Sequence, residues 1–151
     1  MLEKKTTNQD LTSWRGNIPL QSLYTVGPAG EEFLRALKEK GHFLGTRCNA
    51  CEQTYVPARL FCERCMAELR EYVKVADHGS VVSWTRTHID LDGKRLEKPA
   101  TLAAVRLEGA STVLVHRFNG TPKIGQKAKA VLEPKGKRKG SILDIRYFEE
   151  S

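Results

Sequence analysis

In the second half of the chain apolar and polar residues alternate with a period of two. "KAKAVLE" (127–133) sets lysines against alanines before Val131 and Leu132, as on a strand with one buried face. β-Branched and aromatic residues crowd "EYVKVA" (71–76), "GSVVSWTRTHI" (79–89), "ATLAAVRLEG" (100–109), "STVLVHRF" (111–118) and "SILDIRYF" (141–148), which is strand composition. Turn residues separate these runs at Asp92–Gly93, at Gly109–Ala110, at Asn119–Gly120 and in "PKGKRKG" (134–140). With the first run taken as a lead-in, five main strands remain between residues 79 and 148, and a crossing helix is hard to fit among them. The pattern predicts a five-stranded Greek-key barrel of the OB type, with a small β-sandwich as the alternative.

One segment follows the helical period instead. "EEFLRALKEKG" (31–41) places Phe33, Leu34 and Leu37 on one face. Glu31 and Glu32 at its start and Lys38 and Lys40 at its end suit the helix dipole, and Gly41 is a natural stop. Residues 1–30 show no sustained period. They read as an arm whose apolar side chains, Leu11, Trp14, Ile18, Leu20, Leu23 and Tyr24, need cover on the body or on another subunit. The expected organisation is mainly β with an N-terminal helix: arm and helix over 1–45, a compact unit over 46–70 and the barrel over 71–151.

That middle unit holds every cysteine of the chain, at Cys48, Cys51, Cys62 and Cys65, as two C-x-x-C pairs. Each pair supplies two thiolates from a tight knuckle, and "QTYVPARLF" between them can form two short strands around Pro57 that bring the knuckles together. Four thiolates at tetrahedral corners suit zinc, and iron in a rubredoxin-like site fits the same set. A redox C-x-x-C usually opens a helix in a βαβ unit, and no such unit is visible. A catalytic zinc keeps one position open. Four cysteines close the shell, so the expected ion is structural and stabilises a segment too small to fold alone.

Composition adds less. The chain has 151 residues, enough for one domain or two small ones, with 40% hydrophobic and 28% charged residues. No apolar run approaches bilayer length and the first residues lack the apolar core of a secretory signal. The expectation is a cytoplasmic protein without a membrane partner, whose thiols stay reduced and available to metal. The net charge of +7 favours anionic partners. It is densest in "PKGKRKG", with Lys135, Lys137, Arg138 and Lys139, and recurs in "DGKRLEK", with Lys94 and Arg95. In an OB barrel these would be the two loops flanking the ligand face, so the expectation is one electropositive rim for a phosphorylated ligand. Two solvated hairpin tips explain the charge equally well.

Catalytic signals are weak. There is no G-x-S-x-G, Walker loop, H-E-x-x-H or G-x-G-x-x-G. His42, His78 and His116 are scattered, and His88 with Asp90 is the one pair that could move a proton near a strand end.

The order of a helix, "CNACEQTYVPARLFCERC" and "HGSVVSWT" resembles the domain-of-unknown-function-35 family over about residues 31–150. "LGTRC", the aromatic-x-Pro-x-Arg of residues 55–59 and "GSVVSWT" carry the resemblance. Glu52, Met66 and Ala58 stand where members have glycine after the knuckles and Pro-Pro-Arg between them. The resemblance implies a rubredoxin-like zinc ribbon followed by an acyl-CoA-associated OB-fold. It further implies a non-catalytic scaffold or acyl-CoA-binding accessory of a thiolase-like enzyme, hydroxymethylglutaryl-CoA synthase or hydratase. A zinc-ribbon and OB-fold nucleic-acid-binding protein is the alternative, although aromatic residues make up only 7% of the chain and such a face needs them for stacking. A small CoA-dependent enzyme using His88 and Asp90 ranks third.

Overall fold

The computed structural model describes residues 24–90 and 92–151. Of the expected arm, Leu11, Trp14, Ile18, Leu20 and Leu23 lie outside the described residues, while Tyr24 is exposed.

Helix α1 runs over Gly27–Lys40, one turn earlier than the charge pattern predicts. Pro28 in the first turn explains the shift, because its fixed φ and missing N–H suit a helix start. Glu31 and Glu32 therefore sit beyond the first turn, where both pair with Arg35. Phe33 and Leu37 are buried and Leu34 is partly so. Gly41 ends the helix with a left-handed φ of 66° and donates its N–H to the carbonyls of Ala36 and Leu37.

Two antiparallel sheets follow. Strands β1 (Phe43–Cys48), β2 (Gln53–Tyr55) and β3 (Glu71–Val75) form the first, in the order β2-β1-β3. β3 is the run that reads as a lead-in to the barrel; it pairs instead with β1, Phe43 against Val75 through Arg47 against Glu71. The expected hairpin around Pro57 also differs. β2 turns back on β1 across the first knuckle, and the second half of the segment makes only a single bridge, Phe61 with Glu68.

The second sheet holds β4 (His78–Ile89), β5 (Arg95–Leu107), β6 (Leu114–Arg117), β7 (Lys127–Leu132) and β8 (Ile145–Glu150), in the order β6-β5-β4-β7-β8. Its two edges meet through a parallel bridge between Phe118 and Phe148, and the Asn119 N–H donates to the Phe148 carbonyl at 2.8 Å. The five strands thus curl into the OB-type barrel that the alternation predicts. Irregular pairing between Val81 and Ser83 and between Thr87 and Ile89 bends β4, as bulges do. This strand reaches both β5 and β7 at Gly79, which faces Leu107 on one side and Ala128 on the other. A Cβ at Gly79 would lie 2.0 Å from the Arg106 carbonyl oxygen, so only glycine fits the crossing.

Helix, ribbon base and barrel share one core. Phe33 and Leu37 of α1, Phe43 of β1, Val75 of β3 and Val81, Val105, Ile145 and Phe148 of the barrel belong to a single buried cluster. Polar links reinforce the joint: the Thr112 hydroxyl accepts from the Val56 N–H and donates to its carbonyl, both at 2.9 Å. The loop before β8 is organised by Asp144, 3% exposed, whose carboxylate accepts the N–H groups of Lys139, Gly140 and Ser141. Among the described residues no helix is long and apolar enough to cross a membrane.

Two outcomes are expected. Gly79→Ala lowers stability by about 3 kcal/mol, the upper end of overpacking costs; an unchanged urea midpoint would contradict the close approach. Burial raises the Asp144 pKa, but the three N–H groups and Arg138 outweigh it and hold the carboxyl below its ordinary value. Its stabilising contribution is therefore complete above the unfolded pKa of about 3.9 and is lost as pH falls toward the lower native value. Asp144→Asn should destabilise the protein at neutral pH and reduce the slope of its acid limb below pH ~4, measured by thermal melts across pH.

Candidate functional site

The four cysteines converge. Their sulfur atoms all lie within 4.8 Å of one another, and Cys48 Sγ is 3.6 Å from Cys65 Sγ. A tetrahedral ion with metal–sulfur bonds of about 2.3 Å needs sulfurs roughly 3.8 Å apart, so the set fits a metal ion. β1 delivers Cys48 at its last residue, and the loop after it carries Cys51. Cys62 and Cys65 lie in a turn closed by Met66 N–H to the Cys62 carbonyl and Cys62 N–H to the Ala67 carbonyl. Glu52 and Met66 follow the knuckles with left-handed φ values of 52° and 59°. They hold the conformation that glycine adopts freely, at a steric cost glycine would avoid.

Sequence reasoning missed the role of Tyr55. Its hydroxyl, buried with the sulfurs, is 3.2 Å from Cys62 Sγ. That contact comes first in drawing the Cys62 thiol down to about 6, ahead of the backbone N–H groups of Cys65 and Arg64. The same hydrogen bond, with burial, pushes the Tyr55 hydroxyl up to about 12. Cys62 is thus prepared as a thiolate, the form a metal binds. Arg59 lies over the Tyr55 ring, 5.2 Å from its centroid, and pairs with Glu63 at 2.7 Å. The aromatic-x-Pro-x-Arg motif therefore braces the sulfur cluster from outside. Held by these four thiolates, an ion would supply a crosslink between the knuckles, with no corner left for substrate.

Of the histidines, His78 finds carboxylate partners. His78 bridges Asp77 and Glu108, both at 3.1 Å. Asp90 accepts the N–H groups of Asp92 and Lys94 and so caps its own turn rather than orienting His88. His116 lies in β6, and burial comes first in lowering its pKa. Of the two aromatics that a stacking face could have used, Phe118 is buried in the core and Trp84 is 37% exposed.

The expected rim is not assembled. β7 pairs with the first residues of β4, His78 against Lys129, and continues past them. The loop carrying Lys135, Lys137, Arg138 and Lys139 therefore lies beyond the start of β4. Lys94 and Arg95 belong to the hairpin beyond its end, a strand of 12 residues away. Arg138 is engaged besides. Its Nε donates to the Glu133 carbonyl at 2.7 Å, and its guanidinium covers Gly41 so closely that a Cβ there would meet Nη1 at 2.4 Å. A cation at that place complements the C-terminal end of α1.

Where the β4–β5 hairpin leaves the barrel, a cleft of about 610 Å³ is lined by Arg86, Lys98, Thr101, Arg117 and Thr121 over an apolar floor that includes Pro99 and Phe118. Arg86 pairs with Thr101 and Arg117 with Leu102, its neighbour on β5, so the register sets the two arginines on opposite faces of the sheet. The Arg86 guanidinium donates to the Thr121 hydroxyl. No acidic residue lines this cleft.

Comparison with known proteins accounts for both units. Two family models match in tandem: the ChsH2 rubredoxin-like zinc ribbon domain over residues 35–69 and the ChsH2 C-terminal OB-fold domain over 72–133. A crystal structure of a protein of unknown function from the DUF35 family of Sulfolobus solfataricus superposes with a TM-score of 0.65 at 28% identity, covering 83% of this chain and 87% of that one. The chain belongs to the DUF35 family. A second similar structure, described as an Ltp2-ChsH2(DUF35) aldolase, gives a TM-score of 0.58 at 19% identity over 85% of this chain and 98% of that one, which supports the shared fold. No curated protein matches the chain.

For this DUF35 chain, elemental analysis of natively purified protein should find zinc in equimolar amount; folded, metal-free protein with four free thiols would contradict this. Cys62→Ser should release the ion and unfold the ribbon. Tyr55→Phe should keep the fold and weaken metal retention about tenfold, the usual scale for a lost outer hydrogen bond, read by chelator competition.

Proposed function

We propose that this chain is a non-catalytic accessory subunit which binds acyl-CoA, or helps a partner bind it, for an enzyme acting on CoA thioesters of the thiolase, hydroxymethylglutaryl-CoA synthase, hydratase or aldolase kind. The observation that carries the reading is the closed sulfur cluster. Four thiolates at bonding separation leave no position at which a metal could activate water or a carbonyl. Among the described residues no side chain pairs with a base as an activated nucleophile would; His78 is held between Asp77 and Glu108, and Asp90 caps its own turn.

Three further features support it. A chain of the same family occurs in a structure described as an aldolase with Ltp2, which is an analogy at the level of the fold. The second knuckle exposes Phe61 and Met66, at 57% and 72%, and exposed apolar side chains of this size mark partner surfaces. The barrel also presents a cationic cleft. A nucleic-acid role has less support, because Phe118 is buried and no exposed aromatic lines that cleft. A cluster of reduced thiols also suits the cytoplasm.

The test is purification of the tagged chain from native extract, followed by assays of the chain alone with several acyl-CoAs. Retention of a CoA-utilising enzyme and no turnover by the chain alone is the expected outcome. Turnover by the isolated chain, or retention of nucleic acid in place of any such enzyme, would overturn it.

A further inference from the structure

The four cysteines of the cluster differ in what can reach them. Cys48 and Cys62 are only 2% and 0% exposed, Cys51 is half-buried, and Cys65 is exposed. A bound ion keeps every ligand as a thiolate, and among thiolates susceptibility to oxidation follows exposure. The cluster therefore offers a small oxidant one open corner, at the second knuckle. Cys48 Sγ stands 3.6 Å from Cys65 Sγ, across the gap between the knuckles. A disulfide needs about 2.05 Å, and side-chain rotation on the exposed turn of Cys65 closes that difference.

Cys62, the partner of Cys65 within its own knuckle, is less free to move. Its Sγ accepts the Arg64 N–H at 3.4 Å and lies 3.2 Å from the buried Tyr55 hydroxyl. Turning this sulfur toward Cys65 would break both contacts, and a polar group that loses a buried partner is destabilising. Cys48 makes the better second member of a pair.

We propose that Cys65 is a site of oxidative modification: hydrogen peroxide oxidises its sulfur, which then closes a disulfide with Cys48 and frees the ion. The Cys65 thiolate attacks one peroxide oxygen. The O–O bond breaks, the sulfur gives up two electrons and becomes a sulfenic acid, and hydroxide leaves. The Cys48 thiolate then attacks Cys65 Sγ; the S–S bond forms and the sulfenic oxygen leaves as a second hydroxide. Two thiolates and one peroxide thus give one disulfide and two hydroxides. Cys51 and Cys62 remain as two ligands where a closed shell needs four, so the ion is released. The new bond joins the end of β1 to the turn that carries Cys62 and Cys65. The knuckles therefore stay together without the ion, and a dithiol restores both thiols. Phe61 and Met66 flank the same turn and are exposed, so the modification acts beside the apolar side chains of the ribbon surface.

The test uses the native chain, because any cysteine variant loses a ligand. Zinc-loaded protein is treated with hydrogen peroxide, released zinc is read with a chromogenic chelator, free thiols are counted, and disulfides are mapped by mass spectrometry after alkylation. The expected result is loss of the zinc together with two of the four thiols, a peptide linked through Cys48 and Cys65 of one chain, and alkylated Cys51 and Cys62. Dithiothreitol with added zinc should restore the thiols and the ion. Before oxidation, limiting iodoacetamide should label Cys65 roughly tenfold faster than Cys48 or Cys62. Retention of zinc and all four thiols in excess peroxide overturns the proposal. So does a disulfide that omits Cys65 or joins it to Cys62, a sulfonic acid at Cys65 without any disulfide, oxidation confined to Met66, or label that enters a buried cysteine first.

Discussion

The ribbon depends on four sulfur atoms brought within 4.8 Å of one another. Its private core consists of Cys48, Tyr55, Cys62 and Leu69, so half of the side chains buried there are themselves ligands. So little apolar surface cannot offset the entropy of ordering the loops around it. The structure favours the thiolate at one of the four, Cys62, through the Tyr55 hydroxyl and the Arg64 N–H. Order at the cluster then propagates. Cys48 ends β1, and Phe43 at the other end of the same strand packs on Phe33 of α1 with ring centroids 6.3 Å apart. One strand thus carries the constraint from the cluster into the core shared with the barrel.

That shared core explains why the loop richest in lysine and arginine is not a free electropositive surface. The loop after β7 meets the C-terminal end of α1, where Arg138 covers Gly41 and Asp144 gathers three N–H groups. Its charge density serves the joint between helix and barrel in part, and its remaining lysines face solvent. The bridge between Phe118 and Phe148 closes the barrel.

What was legible in the sequence was what short-range spacing controls. Two C-x-x-C pairs identify four ligands because each knuckle is local, and period-two alternation identifies strands because each strand is local. Helix α1 begins one turn before its glutamates because Pro28 sets its start, a backbone signal that the charge pattern does not carry. The pairing of β3 with β1 is not legible because the two strands are separated by the whole knuckle segment. The cleft was invisible for the same reason: its lining residues, among them Arg86, Lys98 and Thr121, lie in separate runs of the sequence. A run such as Lys135, Lys137, Arg138 and Lys139 is conspicuous because it is contiguous, yet an electrostatic site is a property of convergence rather than contiguity.

The two features with ligand chemistry stand at opposite ends of β4. The ribbon joins the barrel near the start of that strand, through Thr54 and Val56 on Ser111 and Thr112, close to the pairing of Gly79 with Leu107. The cleft opens near its other end, around Arg86 and Thr101. A molecule bound in the cleft would therefore not reach the sulfur cluster, and order at the cluster would be felt there only through the shared core. The ribbon, at the far end, leaves Phe61 and Met66 exposed beside its second knuckle.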